Sequence, residues 1–411
     1  MITGLKKASI TRSMDFDRLP LVEDDLLPRE IVLLLAYRRL PPIARMLAAF
    51  RKGLERFPHL TGRIMNDPRG GMPTIAPSLG KAVTLEHANS EEPLGLADLE
   101  GFSAEEHRSL FVSEAVNSRE GPLLTMRQVN FTRTEMGVLC LKVSHMAVDG
   151  AGLAMFLWEA ARHLKGGETL LPRHDRGWQR GEDDSTHWPS PTTLPYRYRE
   201  GLTQGSRNSN DEQTLWFSVE TEDVRRVLAD RHGDPQRCLA AWACGEVAQM
   251  DSCLKHVAVW CNTRGRDGVP REFTGNAGCY EHLPVEGGRH GLERELRWLA
   301  SRQGLQAARK RHREILALRR DGREIWWDGP KDELLELNLV SPPASSADFG
   351  TGPPHFALLL ERNSTGIRIL PTAGGRGHLV EATLKPGLAR GLYERALSLG
   401  LAPKFWGKES P

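Results

Sequence analysis

The sequence predicts a layered α/β architecture in two halves, on three observations. Helical and strand-like periodicities alternate along 1–171 and again along 214–411. The stretch between them, 172–213, has little periodicity and is rich in Pro, Arg, Ser, Thr, Asp and Gly. The 411 residues also exceed one ordinary compact domain, so two units of roughly 150–200 residues are the natural division.

Taken in order, the first helix follows Pro41 and Pro42, residues suited to a first helical turn. Ile43, Met46, Leu47, Phe50 and Leu54 recur at helical spacing, and Pro58 ends the run. A weaker helix is expected over 102–115. Two strands follow, 122–131 and 136–144, with Thr132–Glu135 as the turn between them. From Ala151 the period becomes helical, with Leu153, Phe156, Leu157, Ala160 and Leu164 on one face and Gly166-Gly167 as the stop.

The segment 172–213 is long for a loop and reads as a crossover between the halves; Trp178, Trp188, Tyr196 and Tyr198 give it apolar groups to pack down. The second half restarts with a strand at Thr214–Val219 and a helix at Glu220–His232. A helix at 236–249, a strand at Val257–Cys261 and helices over 291–319 come next. Strands near 334–340, 355–361, 366–370 and 378–384 precede a last helix at 386–399.

Composition bounds the function. With 39% apolar and 26% charged residues the chain should be globular and soluble. A net charge of +2 argues against a dedicated nucleic-acid binder. The six cysteines form no Cys-x-x-Cys pair and sit in mostly apolar surroundings, as reduced core residues in a reducing compartment would. There is no signal-peptide pattern and no apolar run of roughly 18 residues, so the expected location is the cytoplasm, without a membrane span.

The stretch with most chemical content is Leu141-Lys-Val-Ser-His-Met-Ala-Val-Asp-Gly150. A strand-like run delivers His145, whose ordinary pKa of about 6.5 lets it take and return a proton near neutrality. Asp149 could orient that imidazole, pair with a cation, or cap the helix that starts next to it; Asp is a favoured N-cap. Gly150 permits backbone angles that a side chain resists. His145 and Asp149 lack a third ligand at metal-binding spacing, so no metal is expected. No Gly-x-Ser-x-Gly elbow supports a serine hydrolase.

Ser144-His-Met-Ala-Val-Asp-Gly150 resembles the His-x-x-x-Asp-Gly signature of the acyl-CoA-dependent acyltransferases. That superfamily includes the BAHD enzymes, chloramphenicol acetyltransferase and the condensation domains of peptide synthetases. Asp348-Phe-Gly-Thr-Gly352 resembles the Asp-Phe-Gly-Trp-Gly signature of the BAHD branch, with Thr351 at the tryptophan position. Asn262-Thr-Arg-Gly-Arg266 with Gly275-Asn276 resembles that branch's Asp-x-Arg-x-Arg and Gly-Asn segment. Phe57-Pro-His-Leu-Thr-Gly-Arg63 resembles its N-terminal Phe-Pro…Gly-Arg segment. The four occur in the family's order and span most of the chain.

The resemblance implies two chloramphenicol-acetyltransferase-like α/β domains with a central channel at their interface: 1–171 carrying the histidine motif, the crossover 172–213, and 214–411 carrying Asp-Phe-Gly-Thr-Gly. It implies that His145 is the general base. It also implies that Asp149 turns away from the substrate and pairs with an arginine, Arg264 first and Arg266 second. Asp348, Gly350 and Gly352 would be structural. Asn338, in Leu337-Asn-Leu-Val-Ser341, is the candidate oxyanion donor by approximate position. The implied reaction moves an acyl group from an acyl-CoA cosubstrate to a small-molecule alcohol or amine, of the specialised-metabolite kind, without a covalent acyl-enzyme, on a monomer. Two alternatives stand beside it. One is condensation-type chemistry on a carrier-protein thioester, whose motif usually has a second histidine where Ser144 stands. The other is a non-catalytic scaffold of the same fold.

Overall fold

The computed structural model describes residues 2–11, 14–21, 30–68, 71–78, 82–93, 108–112, 122–166, 171–176, 196–198, 212–228, 233–266, 268–320, 325–327, 333–339, 347–359, 365–372 and 376–406. In the first half, the long elements are β1 (Ile2–Thr11), β2 (Glu30–Tyr37), α1 (Ile43–Arg56), β3 (Val83–Ser90), β4 (Leu124–Phe131), β5 (Gly137–Ser144) and α2 (Gly150–Lys165). In the second they are β6 (Gln213–Glu220), α3 (Pro235–Met250), β7 (His256–Asn262), β8 (Gly278–Pro284), α4 (Gly288–Leu299), α5 (Arg302–Arg320), β9 (Leu334–Leu339), β10 (Phe356–Leu359), β11 (Gly366–Pro371), β12 (Gly377–Leu384), α6 (Pro386–Ser398) and β13 (Lys404–Trp406). No helix among the described residues is long and apolar enough to cross a membrane.

Two sheets organise the chain. The first runs in the order β1-β3-β4-β5-β2-β10, the second in the order β8-β7-β9-β11-β12-β6-β13. The halves are not sealed from each other. Strand β10, far along the 214–411 segment, pairs antiparallel with β2 of the first sheet, Phe356 opposite Ala36. Just before it, Ala347 and Phe349 are buried in the core that α1 and α2 form against the first sheet.

Alternation of side chains along each strand gives each sheet an inner and an outer face. On the outer faces, helices cover the apolar rows. Phe50 and Phe156 stack between α1 and α2 at 6.1 Å, and a Cβ on Gly53 would meet both Phe156 and Ala160 at 3.1 Å, so this helix pair crosses closely. On the inner faces, Val32, Leu34, Val138 and Cys140 of the first sheet share one buried cluster with Leu370 and Leu379 of the second. The sheets therefore pack on each other directly there, as in a sandwich.

Several sequence expectations need adjustment. The helices expected over 291–319 are two, Gly288–Leu299 and Arg302–Arg320, so the first begins three residues earlier than expected. The helix from Glu220 spans Thr221–Val227, with Val224 and Leu228 turned into the core; residues 229–232 lie outside the described set. Of the expected 102–115 helix residues 108–112 are described, and Arg108–Phe111 is helical. Trp178 and Trp188 of the crossover fall outside the described residues, while Tyr196–Tyr198 forms a short ribbon with Ile325–Trp327. All six cysteines are free thiols, and Cys253 is exposed rather than in the core.

Candidate active site

Strand β5 delivers Ser144 and His145 at its end, and a turn of Ala147 N–H onto the Ser144 carbonyl at 3.0 Å leads to Asp149. Asp149 is the N-cap of α2: its backbone is extended, and its Oδ1 accepts from the Gly152 N–H at 2.8 Å. The same helix stops at Gly166, whose φ of 67° is left-handed. Local sequence thus sets a histidine at a strand end and a carboxylate at a helix start, four residues apart. Both are buried, His145 to 8% and Asp149 to 6% exposure.

Asp149 is engaged from the other half as well. Arg264 approaches it end-on, Nη1 to Oδ2 at 2.8 Å and Nη2 to Oδ1 at 2.7 Å. The Ala277 N–H adds a bond to Oδ2 at 3.1 Å. Arg264 is itself saturated: Nε donates to the Phe273 carbonyl at 2.6 Å, Nη1 also to Asn262 Oδ1 at 3.2 Å, and Nη2 also to the Gly275 carbonyl. A guanidinium has five N–H donors in a fixed fork, and each has an acceptor here, two on Asp149 and three on the segment from Asn262 to Gly275. Burial alone would raise the Asp149 carboxyl. The Arg264 charge and hydrogen bonds, with those from Gly152 and Ala277, outweigh it and hold the group below its ordinary pKa.

The loop that does this joins β7 to β8. The Asn276 side chain, fully buried, donates to the His145 carbonyl at 2.8 Å. Close approach demands small residues here: a Cβ on Gly152 would sit 2.1 Å from the Thr274 carbonyl oxygen. The start of the crossover completes the packing. His174 Nε2 donates to the Arg56 carbonyl at 2.8 Å, which leaves Nδ1 to accept from the Thr274 hydroxyl at 2.7 Å. Arg176, also buried, donates to the Ala147 carbonyl at 3.3 Å. Arg176, His174 and the Asn276 contact escaped sequence reading, because each bond joins residues far apart in the chain. The Gly275-Asn276 pair was the one visible signal.

The remaining candidates lie elsewhere. Gly150 begins α2, with open space where a Cβ would go. Asp348 is at the other end of that helix, bonded to Lys165. At about 1.5 Å rise per residue, the helix separates it from Asp149 by roughly 24 Å. Asp348 Oδ1 accepts from Gly350 N–H at 2.8 Å and Gly352 N–H at 2.9 Å, and both glycines have positive φ, 94° and 98°. Partial burial raises the Asp348 carboxyl, but Lys165 and the two N–H groups win and lower it. Phe349 is packed edge-on against Tyr37 and Phe50, and Thr351 donates to the Arg39 carbonyl at 2.7 Å. Asn338 sits half-exposed on β9, in register with Trp260 and Arg368. Arg266 is exposed. Among the described residues no group of three His, Cys, Asp or Glu side chains could hold a metal ion.

Comparison by sequence finds no matching family model and no matching curated relative. Comparison of structures finds close likeness. Vinorine synthase superposes with a TM-score of 0.72 at 16% identity, covering 97% of this chain and 98% of its own. TRI101 of F. graminearum, crystallised with coenzyme A and T-2 mycotoxin, gives 0.73 at 12% identity over 95% of this chain and 100% of its own. The first condensation domain of the calcium-dependent antibiotic synthetase, in complex with a substrate analogue, gives 0.66 at 15% identity over 95% and 98%. The chain therefore has the two-sheet α/β fold that these three proteins share.

Proposed function

We propose that this protein is a BAHD-type acyltransferase that moves an acyl group from an acyl-CoA thioester to a hydroxyl or amine of a small specialised metabolite. The observation that carries this is the double anchoring of one buried histidine segment. Asn276 holds the His145 carbonyl and Arg264 holds Asp149, both reaching across from the other half. A site assembled from both halves places its base where two substrates can meet. The likeness to TRI101, crystallised with coenzyme A and separately with deoxynivalenol present, supports a CoA donor and a compact acceptor.

In this reading the His145 imidazole takes the proton from the acceptor O–H or N–H. The freed oxygen or nitrogen adds to the thioester carbonyl carbon. The tetrahedral oxyanion then collapses, the C–S bond breaks, and the thiolate recovers the proton from the imidazolium, giving ester or amide and free CoA with no covalent acyl-enzyme. The His145 Nδ1 is buried, so Nε2 is the nitrogen assigned to this work. Asp149, fully engaged by Arg264 and backbone N–H groups, supports the loop and carries no proton. Asn338 is the proposed oxyanion donor. The domains are proposed as 1–171 and 214–411 around the 172–213 crossover, acting as a cytoplasmic monomer.

The test is release of CoA thiol in a donor-by-acceptor screen. The wild type is expected to release thiol only with an acceptor, and His145→Ala to stay folded and release none. A second reading, transfer from a carrier-protein thioester, is favoured by the likeness to the condensation domain. It gains if acyl-CoA is ignored and an acyl-loaded carrier is consumed.

A further inference from the structure

Among the described residues the inner faces of the two sheets share a buried apolar cluster. Other positions on those faces are half-exposed. On the first sheet Lys142 and Glu30 pair at 2.9 Å with side-chain exposures of 12% and 26%. On the second, Trp260, Tyr280 and Asn338 are all half-exposed. Val257 and Val259 belong to the helix-covered core, so Trp260, one position further, is on the inner face. These half-exposed side chains leave part of the two inner faces open to a ligand.

Trp260 is held in a defined pose on its face of the second sheet. Its indole lies over Gly278, where a Cβ would come within 2.1 Å of the ring. Tyr280 meets it edge-on at 4.6 Å and His312 at 6.2 Å. One face of the indole therefore rests on the backbone of β8. The hairpin carrying it, β7–β8, is the one whose tip grips His145 and Asp149. Tyr280 follows Asn276 by four residues, so at most about 14 Å of chain separates it from the residue that holds the His145 carbonyl.

We propose that Trp260, braced by Gly278 and Tyr280, is a stacking platform that selects a flat apolar group, aromatic or fused-ring, in one of the two substrates. This rests on the acyl-transfer reading of the site. A rigid aromatic face favours a planar partner over a puckered one of equal size, here by about tenfold.

Calorimetric titration of the full chain tests it and separates the two sources of such a group. One arm compares benzoyl-CoA with cyclohexanecarbonyl-CoA; the other compares 2-naphthalenemethanol with decahydro-2-naphthalenemethanol. The wild type is expected to prefer the flat probe in one arm by about tenfold. Trp260→Ala is expected to abolish that preference and Trp260→Phe to keep most of it. Trp260→Leu, which preserves bulk, replaces the alanine variant if circular dichroism shows that one unfolded. The proposal is overturned if the wild type favours the flat probe in neither arm, or if the folded variants keep the preference. Because the readout is binding, acyl transfer can survive that result. Conversely, a wild type that consumes no acyl-CoA refutes the functional reading whatever Trp260 does.

Discussion

Arg264 holds Asp149 by two parallel bonds of 2.8 and 2.7 Å, in a pair whose side chains are 6% and 8% exposed. Geometry this good offsets the desolvation of both ions, but only while both are present. Asp149→Asn leaves a buried guanidinium without its counter-charge and is expected to destabilise the fold by about 3–5 kcal/mol. Urea midpoints for the two proteins check it. Arg264→Lys should fail to rescue, since an ammonium cannot replace five planar donors. A variant as stable as the wild type would show that the pair is dispensable. Because the Asp149 pKa is lowered on folding, its contribution is present above the unfolded carboxylate value of about 3.9 and is lost as pH falls through the folded value below it.

Asn276 acts on the histidine through one bond, its Nδ2 to the His145 carbonyl at 2.8 Å. Asn276→Ala removes that bond between two buried groups, at about 1–3 kcal/mol. If the bond aims the imidazole, kcat should fall roughly 10- to 100-fold, since a misplacement near 1 Å is costly, while KM stays within about twofold. A loss confined to stability, with kcat per folded molecule unchanged, would reduce Asn276 to a packing residue.

How much of this was readable in the sequence differs from residue to residue. The β5–His145–Asp149–α2 unit was legible because the apolar period switches from two to 3.6 within it, and an Asp marks the switch. Strand β2 was not. Its odd-numbered side chains from Ile31 to Tyr37 enter the core under α1 and α2, and its even-numbered ones enter the core between the sheets. A strand buried on both faces shows a continuous apolar run without alternation. The partnership of Asp149 with Arg264, 115 residues away, came from family resemblance alone. Trp260 carried no sequence signal, because its setting depends on the strand pairing that brings Gly278 and Tyr280 beside it.

Phe349 is fully buried between Tyr37 and Phe50, some distance from the histidine loop. Phe349→Ala removes a large core side chain and is expected to cost about 3–5 kcal/mol. Activity per folded molecule, measured well below the lowered Tm, should remain within about twofold of wild type. A severe loss of kcat in folded protein would bring the Asp348–Gly352 segment into the chemistry.

His59 is fully buried, and neither ring nitrogen has a hydrogen-bond partner among the described residues. Its ring lies 4.5 Å from that of His174. Burial first, then the neighbouring His174 and Arg176, push its pKa well below the ordinary 6.5. The folded protein therefore keeps His59 neutral over a range where the unfolded chain takes up a proton. Stability is full above about pH 6.5 and declines as pH falls below it, approaching about 1.4 kcal/mol per pH unit for this one group. His174 is shifted in the same direction by its own burial, so the two losses add. His59→Leu removes one titrating group while keeping an apolar side chain in the site. Its urea midpoint should match the wild type near pH 7.5 and exceed it at pH 5.5. Parallel pH profiles for the two proteins would show that His59 is protonated in the folded state as readily as in the unfolded one.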